Sequence, residues 1–414
     1  MKVIFLVDNI PAIEMFLPIL KELPLTWDAL FINHSGWTRK SRAEIEQALQ
    51  ELGLKHKAIE GYSQRKVEKF LQEEKPNVVV LSRDTTTPFE QLIIKCSHAK
   101  DIPTLLVPHG MWTPEGRKNW NSRIMHIWLK HFLGLWFRGV RIIKNGGFSW
   151  SQLIQTALLR LRRDLKSRPI FDGHGGCSQI AVFGPAMREL LISEGVSPWY
   201  IEETGNPKFD NLFYAKRIDY KSKLCKKWGI SNDDNIILLL TDYLVEVGEW
   251  TREQRKFFVM AVANAVTQMP RSKLVIKIHP ILEDVKDYLK IVRNLSEPPI
   301  ICRDLPLPEL LSACSLAITV TSTAGLEAMA MDKPLVVFNL FNDITLFDER
   351  IGAVMVRSEE DLSPALKAIL YKGLSQKTKE VAQAFVFKQA YVQDGKAAKR
   401  IAELIIRMAK GNTK

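Results

Sequence analysis

The chain has 414 residues, 46% of them apolar and 25% charged, with a formal net charge of +12. Such a length holds two domains with cores of their own, and the balance excludes disordered and fibrous classes. The surplus of cations calls for an acidic partner: a nucleotide, a nucleic acid or an anionic lipid surface. Cys96, Cys177, Cys225, Cys302 and Cys314 are dispersed, with no C-x-x-C pair. That argues against a disulfide framework or a zinc site and fits a reducing compartment. Met1–Asp8 reads as a first strand, not a signal peptide, and no apolar run reaches the ~20 residues of a membrane span.

Val3–Val7, Ala29–Ile32, Val78–Leu81, Thr104–Val107 and Ile180–Phe183 are apolar runs of strand length. Between them Glu14–Leu23, Arg42–Leu52, Gln64–Glu74 and Phe89–His98 repeat at helical period. Alternation of this kind predicts βαβ units and a parallel sheet. Pro76 and Pro103 stop the helices before their strands. After Gly205-Asn206-Pro207 and a basic helical stretch, Arg217–Trp228, the alternation restarts. Strands are expected at Ile236–Leu240, Leu274–Ile278, Pro299–Cys302, Leu316–Val320, Pro334–Phe338 and Gly352–Val356. Helices are expected at Arg252–Gln268, Asp284–Leu295, Pro308–Cys314, Leu326–Ala330 and Glu359–Tyr371. The resulting division is 1–200 and 201–390, two doubly wound α/β domains, with 391–414 a closing helix (Gly395–Met408) able to return to the first.

The stretch Leu316–Phe338 is a strand, a turn Thr321-Ser322-Thr323-Ala324-Gly325, a short helix and a strand. Small hydroxyls, a glycine and a helix start suit phosphate, because hydroxyls and free N–H groups donate where the partial charge is positive. Glu327 lies in the first turns, within reach of whatever the phosphates carry. The plainer reading is a helix capped by Ser322 or Thr323 with Glu327 a surface acid. The spacing from Thr323 to Glu327 is one too long for a capping box, so Glu327 is not needed for the cap.

Residues 117–168 break the scheme. Trp120, Trp128, Phe132, Trp136, Phe137 and Trp150 stand among many Lys and Arg, and no acid occurs between Glu115 and Asp164. This composition suits an interfacial surface on anionic lipid. A helical insertion with core aromatics and a single-stranded nucleic-acid surface are the competing readings. The exposed-apolar cost of Phe132–Phe137 favours the membrane.

Parallel sheets bind ligands beyond the carboxyl ends of their strands. Asp8 and Asn9, Arg83 and Asp84, His109, Thr241 and Asp242, and His279 all fall at such ends. Each alone could be a turn residue; two histidines and a phosphate turn in tandem domains point to a shared cleft.

Thr204-Gly205-Asn206-Pro207-Lys208-Phe209-Asp210, Lys277-Ile278-His279-Pro280, the Thr321–Glu327 turn and Asp394-Gly395-Lys396-Ala397-Ala398 follow one another along the chain. Together they resemble the GT-B glycosyltransferases of bacterial surface polysaccharide synthesis. CDP-glycerol glycerophosphotransferases and UDP-N-acetylglucosamine 2-epimerases are the neighbouring groups. The resemblance covers the last half best, and the first half through element order and Val107-Pro108-His109-Gly110. It implies a GT-B fold, two Rossmann-like doubly wound parallel-sheet domains facing a central cleft. It implies that His279 and Thr321, Ser322, Thr323 and Gly325 hold the donor diphosphate, with Lys277 and Asn206 beside them. By the same resemblance Glu327 bonds the ribose, Asp304 and Leu305 face the nucleobase, His109 is the base for the acceptor hydroxyl, and Asp8, Asn9 and Asp84 lie on the acceptor side. An imidazole near neutral pKa suits proton removal. The helix dipole and His279, with Lys208 or Lys277, replace a metal; no Asp-x-Asp pair occurs, and no cofactor beyond the nucleotide-sugar substrate is expected.

The expected activity is metal-independent transfer from a nucleotide-activated sugar to a surface-glycan or lipid-linked acceptor. The expected place is the cytoplasm, at the inner membrane face through residues 117–168, with no nucleic acid as partner. His109-Gly110-Met111-Trp112 lacks the acidic-glycine-leucine-arginine pattern of the epimerases, which ranks an epimerase-like enzyme lower. A CDP-polyol phosphotransferase and a non-catalytic nucleotide or nucleic-acid binder also compete with transfer of a sugar.

Overall fold

A computed structural model describes residues 1–34, 39–59, 63–85, 87–108, 172–280 and 282–411. They form two compact units, Met1–Thr204 with Lys399–Lys414, and Gly205–Ala398. In the first, β1 (Lys2–Val7), β2 (Asp28–Asn33), β3 (His56–Ala58), β4 (Val78–Leu81), β5 (Thr104–Leu106), β6 (Gln179–Val182) and β7 (Ile201–Glu203) form one sheet. Its order is β3-β2-β1-β4-β5-β6-β7, and every pairing is parallel. Among the described residues it is accompanied by α1 (Ile10–Glu22), α2 (Arg39–Glu51), α3 (Gln64–Glu74), α4 (Pro88–His98) and α5 (Pro185–Ser193).

The second unit carries β8 (Asn235–Leu240), β9 (Ser272–Lys277), β10 (Ile300–Cys302), β11 (Leu316–Thr319), β12 (Leu335–Phe338) and β13 (Val354–Val356). The order β10-β9-β8-β11-β12-β13, again all parallel, is doubly wound with its switch between β8 and β11. Its helices are α6 (Pro207–Ala215), α7 (Tyr220–Trp228), α8 (Arg252–Thr267), α9 (Val285–Val292), α10 (Leu307–Ala313), α11 (Ala324–Ala330), α12 (Glu359–Lys372) and α13 (Gln376–Ala390). The final helix α14 (Ala397–Ala409) begins where this unit ends.

Strands covered on both faces must be apolar throughout. Val78–Leu81 and Ile237–Leu239 are accordingly fully buried. The strands without an apolar run, His56–Ala58 and Ile201–Glu203, are the two edges of the first sheet, where half the neighbours are solvent. Three helices were not expected from the sequence: α5, which starts at Pro185 close after β6, α6 and α13. α6 starts directly at Asn206-Pro207, with Asn206 accepting the Lys208 N–H at 3.0 Å. α13 buries only Val386 and Ala390, too few to print a period. Among the described residues no helix is long and apolar enough to cross a membrane. All five cysteines are buried and unpaired. The insertion at 117–168 lies outside the described residues.

Two resemblance motifs far apart in sequence meet in one clamp. Asp210 of α6 accepts the N–H groups of Ala397 and Ala398 at 3.0 and 2.8 Å, capping α14 with a buried carboxylate. Gly395, at φ 71°, is pressed so closely on Phe213 that a Cβ would lie 2.4 Å from its ring. Further along α14, Arg400 Nε donates to Thr204 O at 2.7 Å and Arg407 reaches Glu202 at 2.6 Å. Replacing Asp210 by Ala leaves two buried donors unmade. The expected loss is about 2 kcal/mol or more of unfolding free energy, read by urea denaturation, and a loss below about 0.5 kcal/mol contradicts the clamp.

Candidate functional site

At the switch of the second sheet the polar ends of three strands are tied through one tripeptide, Thr241-Asp242-Tyr243, that follows β8. Thr241 N–H donates to Lys277 O at the end of β9 (3.1 Å). Asp242 accepts the Thr321 hydroxyl from beyond β11, and the Tyr243 N–H at 2.9 Å. The Tyr243 ring meets the His279 ring edge-on, centroids 4.9 Å apart. His279, which follows β9, and the Thr321 turn, which follows β11, are thus brought to the same strand end.

The imidazole of His279 has a defined tautomer. Its Nδ1 accepts the Leu282 N–H at 3.2 Å, so in the neutral ring Nε2 carries the proton and is a donor. Burial lowers its pKa, with Lys277 adding to the effect and Asp242 opposing it, so the ring is mainly uncharged at pH 7. It offers a hydrogen bond, not a full charge.

The turn is built from its own hydroxyls. Thr319 Oγ1 donates to Leu240 O at 3.2 Å and receives the Ser322 N–H at 3.2 Å. Gly325 and Leu326 N–H return to Ser322 O and Thr323 O, at 2.9 and 3.0 Å. The N–H groups of Thr323 and Ala324 have no acceptor among the described residues. The side-chain cap foreseen for Ser322 or Thr323 is absent: Thr323 sits at the cap position in αR conformation without a side-chain bond. Gly325 also has another reason than approach to a phosphate. It is buried, and a Cβ there would lie 2.9 Å from Phe347 and 3.1 Å from Leu335. The helix α11 it opens is only seven residues long.

Glu327 keeps some exposure, yet surrounding protein pushes its carboxyl up to about 7, offset in part by Lys208. It is therefore no ordinary surface acid. Lys277 is also perturbed, lowered by burial, and its ammonium is bound to Arg303 O beside the foreseen nucleobase residues. Asp304 is exposed and Leu305 half-buried, past the edge strand β10. Asn206 spends its side-chain oxygen on the α6 cap. Among the described residues no three His, Cys, Asp or Glu side chains gather as a metal would require.

Sequence reasoning missed Glu283 and Asp343. Glu283 is buried behind His279 and receives its N–H at 2.7 Å. Asp343 accepts from Trp250 Nε1 at 2.9 Å, and burial raises its pKa. Glu283 stands beside Asp284, which N-caps α9. A second acid where one cap suffices was the available signal.

In the first unit the switch lies between β1 and β4. Asp8 there accepts from Asn9 Nδ2 at 2.9 Å and Ser82 Oγ at 3.3 Å and faces Arg83 Nε at 3.4 Å. Asn9 also N-caps α1 through Ala12 N–H at 2.9 Å, which starts that helix at Ile10, earlier than its apolar pattern. Asp84 is buried with both oxygens engaged, by Gly173 N–H at 2.8 Å and Gly175 N–H at 2.7 Å. It latches the 172–176 loop, and burial with the nearby Asp172 raises its pKa. His34 and Glu90, 3.9 Å apart and buried, are both driven neutral by burial, to about 4 and about 8. His109 lies outside the described residues.

Residues 235–341 match the family model described as capsule polysaccharide biosynthesis protein. The chain is 39% identical over 80 residues to the capsule polysaccharide export protein KpsS of Escherichia coli, covering 18% of this chain and 21% of that protein. It therefore spans about a fifth of the curated relative it matches. Over 98% of its length it superposes on a putative UDP-N-acetylglucosamine 2-epimerase from Listeria monocytogenes, with a TM-score of 0.61, 17% identity and 96% of that chain covered. UDP-GlcNAc 2-epimerase from Neisseria meningitidis, bound to UDP-GlcNAc, gives 0.60 and 17%, with 98% of this chain and all of that one covered. The fold is that of the GT-B proteins, and the family-model match covers the segment that holds the β8–β11 switch.

Proposed function

We propose that the protein is a GT-B glycosyltransferase that moves a sugar from a nucleotide-activated donor to a surface-glycan or lipid-linked acceptor. The observation that carries this reading is the gathering of His279 and the Thr321–Gly325 turn at one strand end of the β8–β11 switch. A departing nucleoside diphosphate gains negative charge in the transition state, and donors already in place stabilise it best. His279 Nε2–H, the Ser322 and Thr323 hydroxyls and the N–H groups of Thr323 and Ala324 are such donors. They supply what a bridging cation would, so the transfer is inferred to be metal-independent. Glu327 with Lys208 serves the ribose side and Asp304–Leu305 the nucleobase side. His109 takes the acceptor proton, and residues 117–168 hold the enzyme to an anionic membrane at the cytoplasmic face.

A second reading, an enzyme like the UDP-GlcNAc 2-epimerases, is favoured by the whole-chain superposition on such proteins. It uses the same nucleotide side.

A thermal-shift screen over UDP, CDP, CMP and their sugar conjugates is expected to raise the melting temperature for at least one, because binding to the native state stabilises it. His279→Ala and Glu327→Ala should each weaken that nucleotide about tenfold, whereas His109→Ala should lower turnover at unchanged affinity. Transfer should persist in excess EDTA. Wild-type behaviour of all three variants overturns the assignment, transfer of a whole polyol phosphate replaces it, and acceptor-free conversion of UDP-GlcNAc to its 2-epimer establishes the second reading.

Glu327 also gives a pH signature. Its folded-state value, about 7, lies above the ordinary 4.5. The associated stability is present below the ordinary value and is lost as pH rises towards 7. Denaturation of wild type and Glu327→Gln should show a small gap at pH 5 and one of about 1–3 kcal/mol in favour of Gln at pH 8. A pH-independent gap contradicts the burial of this carboxyl.

A further inference from the structure

Glu283 lies in the loop between β9 and α9, and its side chain is fully shielded from solvent. Its Oε2 accepts the His279 N–H at 2.7 Å and the Thr241 hydroxyl. Its Oε1 accepts the Tyr288 hydroxyl and lies 3.8 Å from Arg255 Nη2. Arg255 is itself committed to Glu246 at 2.6 Å and lies over the Tyr288 ring. A carboxylate this deep is costly even with its lone pairs filled, and an apolar side chain of similar size commonly serves a core better. Its presence is explained by what it holds.

Glu283 takes the backbone N–H of His279, and Leu282 N–H takes its Nδ1. The same carboxylate oxygen holds Thr241, whose neighbour Asp242 binds the Thr321 hydroxyl. One buried group therefore holds the backbone of His279 and the residue next to Asp242, the partner of the hydroxyl turn. We propose that Glu283 is the positioning residue of the donor site, fixing the His279 backbone so that Nε2–H stands where a phosphate oxygen arrives. This rests on the reading of His279 as a phosphate donor.

The test is calorimetric titration of the best binder among UDP, CDP and CMP, and of its parent nucleoside, into full-length protein. Wild type, Glu283→Gln, His279→Ala and the double variant are compared. Glu283→Gln keeps shape but replaces a charge-assisted bond with a neutral one. It should weaken the nucleotide about five- to tenfold, leave the nucleoside unchanged and cost nothing further on the His279→Ala background. An equal loss on both backgrounds, or a parallel loss of nucleoside, shows a general structural role and overturns the proposal. Wild-type affinity in Glu283→Gln with weakened His279→Ala overturns positioning alone. Wild-type affinity in His279→Ala overturns the donor reading and this proposal with it. If Glu283→Gln does not fold, Thr241→Val asks the same question from the other ligand of Oε2, with an expected loss of about two- to threefold that again vanishes on the His279→Ala background.

Discussion

Where the strand order of a parallel sheet reverses, the crossover helices depart in opposite directions and leave the strand ends uncovered. The second unit depends on how the ends of β8, β9 and β11 are filled. Their last peptide groups cannot all pair along the ladder, so side chains complete the bonding. Hydroxyls do most of this work because one hydroxyl both donates and accepts. Thr319 donates to Leu240 O and accepts the Ser322 N–H, while the Thr241 and Thr321 hydroxyls donate to Glu283 and Asp242. The polar layer is as connected as the apolar core beneath it, in which Ile237, Leu239, Ile276 and Ile318 are completely buried.

That connection settles an electrostatic difficulty. The anion site proposed here stands among Asp242, Glu283, Glu327 and Asp343, and bare carboxylates a few Å from a phosphate would cost several kcal/mol each at a protein surface. The charges are handled one by one. Asp242 is occupied by Thr321 and Tyr243, and Glu283 by three donors. Burial pushes Glu327 up to about 7, and it raises Asp343 as well. The cations are restrained too, since Lys277 is turned to a carbonyl and His279 is mainly neutral at pH 7. On the proposed function the site would work through the direction of its donors more than through net charge, which is how a preorganised oxyanion site differs from a basic patch.

The strands at the switch were legible because burial on both faces demands unbroken apolar runs, as in Val78–Leu81 and Ile236–Leu240. The hydroxyl turn and His279 were legible because polar residues stand out directly after such runs. What could not be read was anything whose meaning lies in a distant partner. Glu283 looks like a cap next to Asp284, and only the Thr241 and Tyr288 hydroxyls converging on it make it a buried hub. His34 and Glu90 sit 56 positions apart in sequence and 3.9 Å apart in space, and neither is unusual until both are buried. Edge strands such as Ile201–Glu203 carry no apolar signature, since solvent replaces a neighbouring strand.

Gly325 and Asp210 show why a residue can belong to a recognisable motif for reasons other than chemistry. Glycine in a phosphate turn suggests close approach of backbone to ligand, yet at Gly325 the space a Cβ would take belongs to Phe347 and Leu335 of the core. Asp210 closes a motif that begins at Thr204, but both its oxygens are spent on Ala397 and Ala398, residues of the other late motif. The two motifs are therefore joined through a helix cap, a role in the fold. The turn differs from these two positions, because the N–H groups of Thr323 and Ala324 find no acceptor among the described residues. The family-model match and this bonding coincide at the β8–β11 switch, where the bonds that stitch the strand ends also fix the conformation of the turn.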